Sequence, residues 1–390
     1  MLRRNIILLK YHNFFNGLWL FAALAVIYFQ QVTGSYSLAM LAFSFVNLSQ
    51  SLAEIPCGMF SDRINRKATL VLGSICVFIN MVLWALAGAW SSTWLLFLGS
   101  VFRGVGLAFK SGTDSALLYE TLKDSRRCRL YLLFSAKTCS FYHVGALVAA
   151  FLATIITYYF SLQTLVWMAI IPYFANIFIN YFMINPKNCF EKGMSPQKHL
   201  QKSLTTFVKN KKLRKYAILQ MTNHALSVSV FRFESGYFEA LIPVYLVNIA
   251  RALQHATGWV GYFLVNLFEK SNLIKILCYS TLGSALVKIT GLIMNNSIAP
   301  FFMSLQNLFY GPAQSASSTL LQKEYKSGLR ATLESIIGLG EGIATAIIGF
   351  LIGLVADIFS PRIILFVATF CSIAIAIAYR RLFKPVIIKK

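Results

Sequence analysis

The chain has 390 residues, of which 57% are apolar and only 13% charged, with 33 phenylalanines and a formal net charge of +23. Ordinary globular domains carry about 25% charged residues, so there is too little polar surface here to wrap a water-exposed particle. A soluble globular protein is excluded, and the excess of positive charge must serve either nucleic acid or a membrane surface.

No Asp, Glu, Lys or Arg occurs in 11–53, 68–102, 138–186 or 289–322. About 20 apolar residues cross the hydrocarbon core of a bilayer, so each run holds two crossings joined by a polar turn. In chain order the predicted spans are 8–29, 38–60, 70–89, 94–122, 130–160 and 165–183. A second set follows at 216–247, 257–268, 274–294, 301–321, 333–355 and 363–379. The eighth is short as drawn and extends back toward Ile249, which places Arg251 close to the outer surface.

Residues 185–214, with Pro186, Gly193, Pro196 and many lysines, are the one substantial polar stretch. The expected fold is an all-α integral membrane protein of twelve transmembrane helices in two six-helix bundles. These occupy 1–184 and 215–390, with 185–214 as a cytoplasmic linker. The basic start of the chain runs into a full span with no small-residue cleavage site, so no cleavable leader is expected.

Of the 36 lysines and arginines, 29 fall at the N-terminus, at alternate connections and in the tail. The intervening connections hold only Arg251 and Arg362. Such a bias puts both termini on the cytoplasmic side of an even number of crossings. It also removes the nucleic-acid reading, because the charge lines a membrane face rather than one binding surface.

The seven cysteines are scattered without a CxxC pair or a metal-ligand rhythm, the five histidines are dispersed, and there is no P-loop. No metal, cofactor or direct use of ATP is expected, and no nucleophile and base can be nominated for an enzyme.

The turn after the second span reads EIPCGMFSDRINRKATL, at 54–70. Gly58 would permit close helix approach, Asp62 sits at a helix end, and Arg63, Arg66 and Lys67 lie where basic residues cost little. The stretch resembles the signature turn of the major facilitator superfamily. That turn is glycine, two or three residues, aspartate, arginine, two residues, then a basic pair. Asn65 stands where a second glycine is usual. The fourth span, LGSVFRGVGLAFKSGTDSALLYETL at 98–122, is similar to that of the superfamily's bacterial drug and metabolite branches. Arg103, Gly104, Gly106, Ser111, Gly112, Ala116, Leu117, Tyr119 and Glu120 match.

The resemblance implies two six-helix halves, a central cavity and alternating access, with the aspartate-arginine turn forming a cytoplasmic lock. Two departures accompany it. The equivalent turn of the second half, NLFEKSNLIK at 266–275, keeps Glu269 and Lys270 but loses the glycine-aspartate-arginine pattern. The fifth span, AKTCSFYHVGALVAAFLATI, has Gly145 but lacks the proline common in proton-coupled drug antiporters.

Ionisable groups within spans point to function because burying a charge in hydrocarbon is costly. Lys110 and Asp114 are four apart and Arg103 lies seven before Lys110, so all three could line one stripe. They read either as a self-neutralising set or as cavity and gating residues. In the seventh span Arg232 and Glu239 face together while Glu234 points elsewhere, and Gly236 and Pro243 would permit bending. In the eleventh, Glu341 lies deeper than Glu334, with Gly338 and Gly342 as small packing positions. Glu54, Lys137 and Lys288 are further candidates. His143, Asn13, Asn16, Trp19 and Gln306 could supply polar or aromatic contacts.

These readings converge on a secondary active transporter of a small organic solute in the bacterial inner membrane. It is expected to be monomeric and embedded in the bilayer, with protons as a coupling ion suggested by the buried acids. An uncoupled facilitator, or a receptor or scaffold keeping the same fold, stays open.

Overall fold

Short polar side chains set where the helices begin. Asn65 accepts the Ala68 amide at 2.6 Å, Asn210 accepts those of Lys212 and Leu213 at 3.1 Å, and Asn272 accepts that of Ile274 at 2.9 Å. Ser161 does the same for Thr164 at 3.2 Å. Each satisfies a donor that a helix N-terminus otherwise leaves unpaired.

The computed structural model describes residues 2–63, 65–127, 130–185, 207, 210–264, 272–322 and 330–382. These residues are helical, joined by short turns, and the chain divides into two compact units, Met1–Lys192 and Gly193–Lys390.

The first unit contains α1 (Leu2–Gly17), α2 (Ala25–Thr33), α3 (Tyr36–Arg63), α4 (Arg66–Ala89) and α5 (Thr93–Lys110). It continues with α6 (Thr113–Asp124), α7 (Tyr131–Tyr159), α8 (Leu162–Met168) and α9 (Ile170–Tyr181). The second unit contains α10 (Lys211–Glu239), α11 (Val244–Leu264), α12 (Leu273–Met294) and α13 (Ala299–Met303). A 3₁₀ turn (Ser304–Phe309), α14 (Tyr310–Gln322), α15 (Arg330–Ile358) and α16 (Pro361–Leu382) complete it.

Eight helical stretches among the described residues are long and apolar enough to cross a membrane, four of them being Arg66–Ala89, Leu162–Tyr181, Leu273–Met294 and Pro361–Arg381. Their outer faces are apolar as well: Leu147, Phe151, Ile171 and Leu286 are each about two-thirds exposed. Water would penalise such a surface and lipid does not. Trp90 and Trp94 at the α4–α5 turn and Tyr158, Tyr159 and Phe160 at the end of α7 are also exposed. Amphipathic rings at span ends suit the interfacial layer of a bilayer.

The expected first span is interrupted between Gly17 and Ala25 and the expected tenth by the 3₁₀ turn at Ser304–Phe309, and three further boundaries move charged residues. The seventh helix stops at Glu239 rather than Val247. Pro243 lacks an amide proton and opens the next helix, with its carbonyl accepting the Leu246 amide at 2.9 Å. It therefore separates two helices instead of bending one. The eighth helix consequently begins at Val244, which places Arg251 about two turns inside it instead of near its start, and Arg251 is only 4% exposed. The fourth span is broken: Gly112, with φ of +71°, ends α5 and starts α6. A left-handed residue there is unstrained only as glycine.

Glycines bring the first-unit helices into backbone contact. A side chain at Gly17 would overlap the Tyr142 carbonyl, and one at Gly145 the Phe14 carbonyl, so α1 and α7 cross at this pair. Gly104 meets Val46 and Ser49 of α3 in the same way, while Gly106 meets Val77 and Gly73 of α4. Gly58 differs: among the described residues a side chain there would meet nothing within 4 Å. Packing inside its unit does not require glycine at that position. Gly338 is likewise open, and it is Gly340 that presses on Met221.

The first-unit core centres on Trp84, which is fully buried and packed edge-on to Phe29 at 4.8 Å and Phe21 at 5.8 Å. Its indole nitrogen donates to the Leu96 carbonyl at 3.1 Å. A second apolar cluster, Leu9, Leu70, Leu117, Leu118, Leu122 and Met183, ties α1, α4 and α6 together. In the second unit Leu213, Tyr216, Leu273, Leu277, Leu333 and Tyr379 join the starts of α10, α12 and α15 to the end of α16.

Candidate functional site

Three polar assemblies interrupt these apolar interiors. The first surrounds the turn between α3 and α4. Arg66 Nε lies 3.1 Å from Glu120 Oε1 of α6, and its Nη1 donates to Ser61 Oγ at 2.9 Å. Ser61 Oγ is in turn 3.4 Å from Thr113 Oγ1. The Lys67 ammonium sits 4.9 Å from the centre of the Tyr181 ring, and its backbone amide donates to Asn185 Oδ1 at 3.1 Å. Arg66 thus bridges the two signature stretches. The side chains of Asp62, Arg63 and Glu334 lie outside the described residues, as do Glu269 and Lys270.

The second assembly fills the interior of the first unit. Lys110 Nζ donates to Asn16 Oδ1 at 2.7 Å, which also accepts Asn176 Nδ2 at 2.9 Å. The Asn16 amide nitrogen meets His12 Nε2 at 2.9 Å. Asn180 Nδ2 reaches Ser74 Oγ at 2.5 Å. Two turns before Lys110, the Arg103 guanidinium is 7% exposed and lies 4.4 Å from the Trp19 ring and 5.6 Å from that of Tyr173.

Lys110 and Asp114 do not pair as their spacing suggests. The i,i+4 relation assumes one helix, and Gly112 interrupts it. Asp114 instead accepts the Ser115 amide at 2.7 Å in the first turn of α6, while Lys110 turns to Asn16 of α1.

The third assembly lies within the second unit. Glu234 is fully buried and is approached by Arg251 Nη1 at 3.5 Å and Lys288 Nζ at 3.4 Å. Gln254 Nε2 donates to its Oε2 at 2.8 Å, and Gln306 Nε2 donates to its two oxygens at 2.9 and 3.0 Å. Arg251 also donates to Ser235 Oγ at 2.8 Å, to Gln254 Oε1 at 2.6 Å and to the Phe231 carbonyl. The seventh-span acid expected to point away is therefore the one at the centre of this network. Arg232 and Glu239 are half-buried.

Glu341 of α15 is half-buried and accepts one long hydrogen bond from Gln220 at 3.5 Å. Gln220 is held in turn by the Ser317 hydroxyl. Glu54 is half-buried on α3, Asn13 is half-buried, and Lys137 and His143 are exposed.

The sequence reading missed His12, Tyr173, Asn176, Asn180 and Gln254. A signal for four of the polar positions exists: His12 and Asn16, and Asn176 and Asn180, are each four apart on apolar helices. Neutral polar residues repeated on one face of a span mark a polar interior.

Residues 12–269 match the family model described as Major Facilitator Superfamily. The inner membrane transport protein YajR of Escherichia coli (strain K12) is 23% identical over 345 residues, covering 84% of this chain and 71% of that protein. An uncharacterized transporter of Buchnera aphidicola subsp. Acyrthosiphon pisum (strain APS) is 25% identical over 208 residues, 53% of this chain, and the match spans half of that relative's length. Among solved structures, the nucleoside transporter NupG matches with a TM-score of 0.79 at 13% identity, over 98% of this chain and 99% of that one. The inward-open xylose transporter XylE from E. coli gives 0.74 at 10% identity, over 99% and 97%. At these identities the structural likeness shows the fold alone.

Proposed function

The chain belongs to the Major Facilitator Superfamily, and from that premise we propose that it moves a small organic solute across a bacterial cytoplasmic membrane by alternating access. In this reading 1–184 and 215–390 are six-helix bundles giving twelve crossings, and 185–214 and both termini are cytoplasmic. The alternating basic connections support that orientation, and the inner-membrane relative supports the compartment.

The observation that carries the reading is the family match over 12–269, and within the first unit the Arg66–Glu120 pair accords with it. The side chains of that pair are 22% and 17% exposed, so water screens them and the pair contributes about 1 kcal/mol or less. States of a switching protein differ by only a few kcal/mol. A pair of that strength can favour one state and still open within a transport cycle, which suits a latch and not a permanent brace.

Protons are the proposed coupling ion, with Glu341 as the carboxylate that binds them. Glu234 is unsuited, since both of its oxygens already accept bonds from buried donors. Flux of candidate solutes into proteoliposomes, with and without an imposed proton gradient, tests this. The gradient should drive accumulation, and Glu341→Gln should leave only equilibration. Flux indifferent to both proton and sodium gradients would favour the second reading, an uncoupled facilitator, to which the saturation of Glu234 lends support.

A further inference from the structure

Buried polar atoms without partners identify a binding site in the first unit. Trp19 Nε1, Arg103 Nη1 and Tyr173 Oη are enclosed and have no hydrogen-bond partner among the described residues, and the His12 ring beside them lies against the amides of Asn176 and Asn180. They come from α1, α5, α9 and the turn after α1, and most of them touch one another. Asn16 joins His12, Lys110 and Asn176, and Arg103 lies between Trp19 and Tyr173. An unpartnered buried polar group costs about 1–3 kcal/mol. Several gathered in one interior require polar matter to complete them.

Charge indicates what that matter is. Lys110 and Arg103 contribute two positive charges; Asp114 acts on Lys110 through space without a direct ion pair, and Arg103 has no ion pair with a described carboxylate. Asp114 is taken onto α6, beyond the break at Gly112. The second unit shows a different arrangement, where buried Arg251 and half-buried Lys288 close on Glu234. A buried cation is ordinarily paired; in the second unit both cations touch a carboxylate, whereas in the first Arg103 touches none among the described residues.

We infer that the first-unit interior binds a small organic anion, a carboxylate or phosphate compound, between Lys110 and Arg103. Arg103 supplies the buried guanidinium, fixed by Trp19 and Tyr173. Lys110 and Asn16, both half-buried, stand at the accessible side, backed by His12 and Asn176. Seven residues of helix rise about 10 Å, so the two cations suit the two ends of a compact dianion, or one anionic end and one polar end. This rests on the transporter reading for its role as substrate recognition, but binding itself requires no turnover.

The test is thermal unfolding of the full chain in nanodiscs of zwitterionic lipid. Succinate, glycerol 3-phosphate and inorganic phosphate are compared with glycerol and uridine. At about a hundredfold excess over Kd, an anion that binds should raise the midpoint by about 2 °C or more, and the neutral solutes should not. Lys110→Met should weaken the anion response at least tenfold. Asn16→Asp places a carboxylate against Lys110, so it should raise the unliganded midpoint and suppress the same response in a folded protein. Equal stabilisation by neutral solutes, or an anion response that survives both substitutions, would overturn the inference. So would a midpoint that responds to anionic lipid in the nanodisc but to none of the free anions. Absent flux with intact anion binding would count against the transporter reading alone.

Discussion

Glu234 Oε2 and Arg251 Nη1 stand 3.5 Å apart with side chains 0% and 5% exposed, so neither charge can be satisfied by water if the other is removed. Breaking such a pair leaves an uncompensated buried charge and typically costs about 3–5 kcal/mol. Glu234→Ala should therefore lower the thermal midpoint sharply. Glu234→Leu combined with Arg251→Met and Lys288→Met, which removes all three charges, should recover much of the loss. A single substitution as mild as the triple would show that the interior is more hydrated than its burial indicates.

Arg66 and Glu120 should behave otherwise. Glu120→Gln or Arg66→Ala should change stability by about 1 kcal/mol or less, as expected for a partly exposed pair. The measurable effect should be on conformation: cysteines placed along the ends of α3 and α6 nearest the pair should react with a membrane-impermeant thiol reagent at altered rates. Exchanging the two charges, Arg66→Glu with Glu120→Arg, should restore the original rates. Unchanged labelling in all three variants would remove the latch.

The α1–α7 crossing predicts a steric effect. Gly17→Ala and Gly145→Ala each push a methyl group into a backbone carbonyl of the partner helix, and overpacking of this kind costs about 1–3 kcal/mol. Each should depress the unfolding midpoint, whereas Gly58→Ala, which meets nothing within 4 Å among the described residues, should not through contacts in its own unit.

Much of the fold was legible because the bilayer imposes a coarse rule. Apolar length and basic turns reveal spans, and the helices around Arg66–Ala89 and Pro361–Leu382 lie close to where those signals put them. Boundaries failed where one residue outweighed hydropathy. Pro243 and Gly112 each divide an apolar run that reads as continuous, and the divisions moved Arg251 into the interior and separated Lys110 from Asp114. The site was legible in its members more than in its pairings. Arg66 and Glu120 belong to two quoted stretches, yet only tertiary packing brings them together. Asn16, which holds Lys110 in place, stands out as a polar residue in an apolar span, whereas His12, Asn176 and Asn180 carry no charge and gain meaning only from the neighbours that packing brings to them. Glu234 was misjudged because helical phase says which face a residue occupies, not which neighbouring helix covers that face.

The interruption at Gly112 has a mechanical consequence. An unbroken α-helix behaves as a stiff rod, so a twist applied at Lys110 would reach Glu120, ten residues on, as the same twist. With the ladder severed between them, the rod becomes two pieces on a pivot. The piece bearing Glu120 is therefore not held in register with the piece bearing the two cations, and any side chain at the pivot would have empty space around it but a strained left-handed backbone beneath it.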